Sequence, residues 1–187
     1  MQRLVWEMAL RPYGRNGHLP TTFIDVKKIL LTFLIITTAC SSGNIVEPLI
    51  ENVLNQSFET ENGFETLEGI YEENNQPMVV NLWATWCTPC LEEMPYFETA
   101  HRKHGTKIQF IGINISDSPT RAKKRAEELH ISYLLGSDPD GSFTKSLKAI
   151  GLPVTAFFNA EGKLSTIHQG PISKENLQKS VLELLDV

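Results

Sequence analysis

The chain has no apolar run long enough to cross a bilayer, little positive charge before its middle third that is not confined to the first 40 residues, and no internal repeat or low-complexity tract. Each absence narrows what the protein can do. A spanning helix needs roughly 20 consecutive apolar residues, and the stretch Ile29–Ile36 falls well short of that. Five of the 17 basic residues (Arg3, Arg11, Arg15, Lys27 and Lys28) precede Cys40, against only Glu7 and Asp25. The remainder carries 12 basic and 20 acidic residues, a net charge of −8. Nucleic-acid partners call for a basic face, and this body is acidic. Between Ser41 and Asn75 there are eight Glu and neither Lys nor Arg. What remains is a chain of 187 residues with an ordinary apolar fraction of 41%. That suffices for one domain with a core of normal size plus extra segments.

The front of the chain reads as a targeting segment. Lys27-Lys28, the apolar run Ile29–Ile36 and the small-residue stretch Thr37-Thr38-Ala39 before Cys40 match the three regions of a signal peptide spanning residues 26–40. A cysteine directly after Thr-Thr-Ala resembles the lipobox of bacterial lipoproteins, in which that cysteine is lipid-modified and becomes the mature N-terminus. The resemblance implies lipidation of Cys40 and an extracytoplasmic, membrane-anchored protein of the bacterial cell envelope. It departs from the usual pattern in one place, with Thr37 where a Leu-like residue is common. An ordinary signal peptide, or an uncleaved anchor with an incidental cysteine, is the alternative. Residues 1–25 fit neither signal nor domain, so translation is expected to begin at Val26 from an alternative start codon. Residues 41–57 read as an acidic tether, and residues 58–187 as the folded domain.

The chemistry concentrates in Met78–Pro95, MVVNLWATWCTPCLEEMP. Its apolar start, rich in Val, Leu and Trp, has the composition of a strand buried on both faces. After Trp86-Cys87-Thr88-Pro89-Cys90, the segment LEEMPYFETAHRKH has the polarity and apolar spacing of a helix. A helix N-terminus offers unpaired N–H groups and a partial positive charge, which favour a thiolate. Cysteines three positions apart on a first turn can close a small disulfide ring, so the pair reads as a dithiol/disulfide exchange site. Cys87, at the exposed start of the helix, is the expected nucleophile, and Cys90 the resolving thiol. Thr88 and Pro89 fill the ring, where a first-turn Pro loses no needed N–H.

Glu93 lies one helical turn from Cys90 and two from Cys87. A partly buried carboxylate there can take the Cys90 proton, and raises thiol pKa values by like-charge repulsion. The plainer reading is a first-turn Glu favoured by the helix dipole. The cysteines also have a zinc reading, because His101 and His104 complete a loose Cys-x2-Cys…His-x2-His. The His spacing is too short for that, and the four side chains would spread over roughly 15 Å of one helix. No metal is expected, and both histidines read as solvated helix residues.

Downstream, Lys107–Asn114 reads as a second buried strand parallel to the first. Ser116-Asp117-Ser118-Pro119 caps a polar helix through Leu129, followed by a short strand over Ser132–Leu135 and a short helix over Gly141–Ala149. Val154–Phe158 and Leu164–Gln169 form a hairpin across Ala160-Glu161-Gly162. Ser173 caps a last helix with an apolar stripe of Leu177, Val181, Leu184 and Leu185. Upstream, Phe58–Tyr71 holds a short strand or hairpin. Strands flanked by helices on both faces give an α/β three-layer sandwich.

Two stretches carry a family resemblance. Val79-Val80-Asn81-Leu82-Trp83-Ala84-Thr85-Trp86-Cys87-Thr88-Pro89-Cys90, followed by Glu92-Glu93-Met94-Pro95, resembles the active-site region of thioredoxin-fold proteins. Within them it is most similar to the TlpA/ResA/CcmG-like branch, the membrane-tethered extracytoplasmic thiol-disulfide oxidoreductases. Gly151-Leu152-Pro153-Val154-Thr155-Ala156-Phe157-Phe158, with Asn159–Lys163 after it, resembles the cis-proline loop of the family. The resemblance covers residues 58–187. It implies a thioredoxin fold, an α/β/α sandwich around a mixed sheet, with the βα insertion of the TlpA type. It implies a cis peptide bond before Pro153, packed opposite the disulfide, with the Leu152 backbone facing an extended substrate segment. Trp86, Thr88, Pro89, Leu152 and Pro153 are therefore the expected substrate contacts, with Trp86 covering the disulfide and Trp83 packing inside. A glutamate three residues after the second cysteine, here Glu93, is a feature of this branch. Minimal thioredoxins instead carry an acid on the central strand, where this chain has Asn81. The implied partners are disulfide-bearing client proteins, among them apocytochrome c, and a membrane thiol-electron carrier. No cofactor is implied beyond the Cys87–Cys90 pair itself.

The direction of electron flow stays open. Thioredoxin-fold potentials run from roughly −270 to −120 mV, so a disulfide oxidant or isomerase shares the fold and the site. A copper or zinc delivery module is a further reading, although the related copper-insertion proteins use a wider Cys-x-x-x-Cys. A peroxiredoxin would need a Pro-x-x-x-Thr pattern before a lone cysteine, and the chain lacks it. The proposed start at Val26 is open to direct test by intact mass of the unprocessed precursor; a precursor containing Arg11 rules it out.

Overall fold

The computed structural model describes residues 53–186. The expected extension 1–25, the signal segment 26–40 with Cys40, and most of the tether lie outside the described residues. The first two described strands, β1 (Ser57–Thr60) and β2 (Gly63–Thr66), form a hairpin that continues into α1 (Leu67–Asn74). Strand β3 (Met78–Trp83) leads to α2 (Thr88–His104), β4 (Gln109–Ile115) and α3 (Pro119–Glu128). Then come β5 (Leu134–Asp138), α4 (Ser142–Ser146), the hairpin β6 (Val154–Phe158) and β7 (Leu164–Gln169), and α5 (Lys174–Leu185).

The seven strands form one mixed sheet in the order β2-β1-β5-β4-β3-β6-β7. Strand β3 runs parallel to β4 and antiparallel to β6, and all six of its side chains are buried. That explains its unbroken apolar composition, since a strand covered on both faces has no solvent side to serve. Its side chains alternate between two cores. Met78, Val80 and Leu82 join Phe143, Leu147 and Leu67 on one face, while Val79 packs with Phe97, Leu177 and Val181 on the other. A third cluster at the end of β3 gathers Trp83, Ala84, Cys87, Cys90 and Met94 with Ala122 and Ala126 of α3. The α/β/α layering expected from the sequence is therefore the architecture observed. Strand β5 enters the sheet between β4 and β1, parallel to β4 and antiparallel to β1, which joins the N-terminal hairpin to the main sheet.

Several elements differ from the sequence reading in their bounds. Helix α1 was not anticipated; its signal is Thr66, whose Oγ accepts from Gly69 N–H at 3.0 Å, ahead of inward-facing Leu67 and Ile70. Asn75 ends it in the left-handed region at φ 51°, which Asn tolerates better than most residues. Helix α3 begins with Pro119 in its first turn, as expected, but Ser118 makes no side-chain cap bond. Asp117 instead fixes the residue ahead of the helix, accepting from Ser118 N–H at 2.7 Å. Val53 is fully buried in the core, so packing begins ahead of Phe58. The last helix matches its reading, with Leu177, Val181 and Leu184 buried and Ser173 Oγ accepting from Asn176 N–H at 3.2 Å.

The β1–β5 junction is tightly closed. A methyl group at Gly136 would overlap the Phe58 ring, which also packs edge-on against Phe143 at 5.8 Å between centroids. Gly136→Ala should therefore destabilise the fold by roughly 1–3 kcal/mol through overpacking, read as a lower urea midpoint at unchanged slope.

Candidate functional site

The redox segment follows from how β3 ends. Beyond Trp83 the chain turns, with Cys87 N–H donating to the Ala84 carbonyl at 3.1 Å. Cys87 then caps α2 in an extended conformation, and Pro89 occupies the first turn. Its sulfur accepts from Cys90 N–H at 3.3 Å. The two cysteines are joined in a disulfide with their Cα atoms 5.3 Å apart. A helix N-terminus with an N–H aimed at one sulfur favours negative charge on that sulfur. Cys87 is 5% exposed and Cys90 fully buried, so Cys87 is more covered than its place at a helix start suggests but remains the accessible partner.

The other expected residues fall around this pair. Trp86 stands 64% exposed and Thr88 is exposed, with Pro89 half-buried between the cysteines. Trp83 is buried among the residues of the cysteine cluster. The Leu152–Pro153 bond is cis; Leu152 packs on the cysteine cluster, and Pro153 is buried. His101 and His104 lie at the far end of α2 from Cys87, and His101 packs edge-on against Phe110 and Tyr133. Among the described residues, no group of three or more His, Cys, Asp or Glu side chains is placed to hold a metal ion.

Glu93 is 2% exposed, unlike its exposed neighbour Glu92. One carboxylate oxygen accepts from Asn81 Nδ2 of β3 at 2.9 Å. The other accepts from Ile172 N–H, ahead of α5, at 2.8 Å. Burial pushes its pKa up to about 7, against the pull of these two donors. The Ile172 contact spans 79 residues of chain, and nothing local in the sequence signals it. The Asn81 contact was closer to view, because Asn81 occupies the strand position where minimal thioredoxins place an acid. Two further buried acids escaped the sequence reading. Glu98 accepts from the Ser132 N–H and hydroxyl, both at 2.7 Å, and Asp117 accepts from Thr85 N–H at 2.7 Å.

The comparisons with known proteins agree with this geometry. The Redoxin family pattern matches residues 69–185. The chain belongs to the Redoxin family. It is 25% identical over 166 residues to the thiol-disulfide oxidoreductase ResA of Bacillus cereus, covering 82% of this chain and 96% of that protein. It is 31% identical over 112 residues to the thiol:disulfide interchange protein DsbE of Vibrio cholerae, covering 59% of each. Among solved structures it resembles a thiol:disulfide interchange protein DsbE from Chlorobium tepidum, described there as putative, with a TM-score of 0.63 at 21% identity over 70% of this chain and 92% of that one. The pneumococcal exposed lipoprotein thioredoxin Etrx1 of Streptococcus pneumoniae gives 0.59 at 20% identity over 69% and 98%. These structural likenesses establish the thioredoxin-like fold.

The Glu93 environment has a pH signature. Because its pKa is about 7 folded and near 4.5 unfolded, the folded state binds more protons between those values. Its stabilising contribution is present below about pH 4.5 and is lost as pH rises through 7, by up to about 3 kcal/mol. Asp117 and Glu98 are shifted down, so they act at lower pH with the opposite sign. Comparing denaturant midpoints at pH 5 and 8, Glu93→Gln should flatten the loss relative to wild type.

Proposed function

We propose that this thioredoxin-like thiol-disulfide oxidoreductase acts outside the cytoplasm as a reductant of protein disulfides, with apocytochrome c among its clients. The observation that carries the reading is the buried Glu93 on the helix that Cys87 caps. In the dithiol form, the Cys87 thiolate attacks one sulfur of a client disulfide. A mixed disulfide forms, and the client's other sulfur leaves as a thiolate that water protonates. Cys90 gives its proton to Glu93 and attacks the Cys87 sulfur. The Cys87–Cys90 bond closes and the client is released with both sulfurs reduced. Two electrons pass from the chain to the client, and a membrane thiol-electron carrier restores the dithiol by a second exchange.

Glu93 serves the exchange in two ways, the second of which favours the reductive direction. A carboxyl with a pKa of about 7 can accept a thiol proton and release it at neutral pH. When ionised, it disfavours a neighbouring thiolate, which destabilises the reduced pair and strengthens it as an electron donor. Trp86, Thr88, Pro89 and the Leu152–Pro153 loop are assigned to client contact. Lipidation at Cys40 is assigned as the anchor that holds the domain at the membrane, in keeping with the lipoprotein relative Etrx1.

Cys90→Ser should accumulate a mixed disulfide between Cys87 and a disulfide-bearing client, detected on non-reducing gels, whereas Cys87→Ser should form none. A reduction potential at or below about −220 mV supports the reductant reading. A value near −120 mV overturns it in favour of an oxidant.

A further inference from the structure

The approach to Cys87 contains an ionised side chain that the exchange scheme has not used. Strands β3 and β4 run parallel with Trp83 opposite Asn114, so the segments leaving them emerge side by side. Ala84–Trp86 leads from β3 to Cys87, and Ser116–Ser118 leads from β4 to α3. Asp117 bridges the two. Its Oδ2 accepts from Thr85 N–H at 2.7 Å and from Asn114 Nδ2 at 3.4 Å. Its Oδ1 accepts from Ser118 N–H at 2.7 Å and faces the Arg121 guanidinium at 3.4 Å. The Asp117 side chain is fully covered, whereas that of Arg121 is 73% exposed. Burial works against the charged form, but the Thr85 side chain and N–H, with Ser118 and Asn114, hold the pKa down to about 2. The group is therefore a fixed negative charge throughout the physiological range.

We propose that Asp117 is a positioning residue for the exchange reaction: its carboxylate fixes the Ala84–Trp86 turn that sets Cys87 on the helix end, and its charge opposes the Cys87 thiolate. Thr85 and Cys87 are two residues apart, so their Cα atoms are separated by at most roughly 7 Å. Asp117 Oδ2 sits 2.7 Å from the Thr85 nitrogen on the turn that leads to Cys87, and a covered charge held against that turn is screened less than an exposed one. Opposing the thiolate raises the nucleophile's pKa and lowers the stability of the dithiol form relative to the disulfide. The inference rests on exchange at Cys87–Cys90 alone and holds whichever way electrons run.

Two substitutions in the full chain test it from opposite sides. Asp117→Asn removes the charge and keeps an oxygen that can accept from Thr85 N–H. Arg121→Ala removes the exposed counter-charge and leaves every N–H bond to Asp117 in place. The readouts are the pH dependence of Cys87 alkylation in the dithiol form and the equilibrium constant against glutathione. Asp117→Asn should lower the Cys87 pKa and favour the dithiol form by roughly threefold to tenfold. Arg121→Ala should shift both in the opposite direction. No shift in either variant, or shifts of the same sign, overturns the proposal. If Asp117→Asn does not fold, Asp117→Ser, which also keeps an acceptor oxygen without the charge, takes its place: a lowered Cys87 pKa sustains the proposal and an unchanged or raised one overturns it. The reductant reading depends on the wild-type potential, so its failure and the failure of this inference are seen in different measurements.

Discussion

One buried carboxylate ties the redox helix to the rest of the molecule. Glu93 sits on α2, bonds to Asn81 on β3 and bonds to the Ile172 backbone ahead of α5. The same elements also pack through side chains, in the cluster of Val79, Phe97, Leu177 and Val181 and in that of Trp83, Cys90 and Met94. Taking a carboxylate out of water costs several kcal/mol unless donors replace the lost hydration. Two N–H groups replace part of it, and the balance leaves a pKa of about 7. The helix is thus fixed by a group that is present in both charge states near neutrality.

Asp117 and Glu98 show that burial alone does not set this outcome. Asp117 receives donors from Thr85, Ser118 and Asn114 and stays ionised. Glu98 receives two from Ser132 and pairs with Arg102 at 2.6 Å, and its pKa also falls despite burial. Depth of burial and the donors received together separate the carboxylates that serve as fixed struts from the one able to exchange a proton. Each of the three accepts a backbone N–H from a distant segment, at separations of 79, 32 and 34 residues. Together they hold the α2 region to the loops that surround it.

The parts that were legible in the sequence are those with local rules. The apolar run of β3, the Cys-x-x-Cys at a helix start, the β6–β7 hairpin and the Ser173 cap each follow from residues within a few positions of one another. Helix α1 was missed because its eight residues carry three Glu and a Gly, which dilute the apolar spacing of Leu67, Ile70 and Tyr71. The cis bond at Pro153 came from family resemblance, because X-Pro bonds are cis in only about 5–6% of cases. The roles of Asp117 and Glu98, and the Ile172 half of the Glu93 site, could not be read. They arise from backbone groups brought together by the sheet order, and a backbone N–H leaves no mark on the sequence.

The two tryptophans that flank the turn have opposite surroundings. Trp83 is 1% exposed within the cluster that contains the disulfide, and Trp86, three residues on, is 64% exposed. An indole packed near a disulfide loses emission to the sulfur pair and regains it on reduction, whereas an indole in water responds to whatever covers it. The protein therefore carries two optical gauges three residues apart, a buried one for the state of its own sulfurs and an outer one for the arrival of a partner.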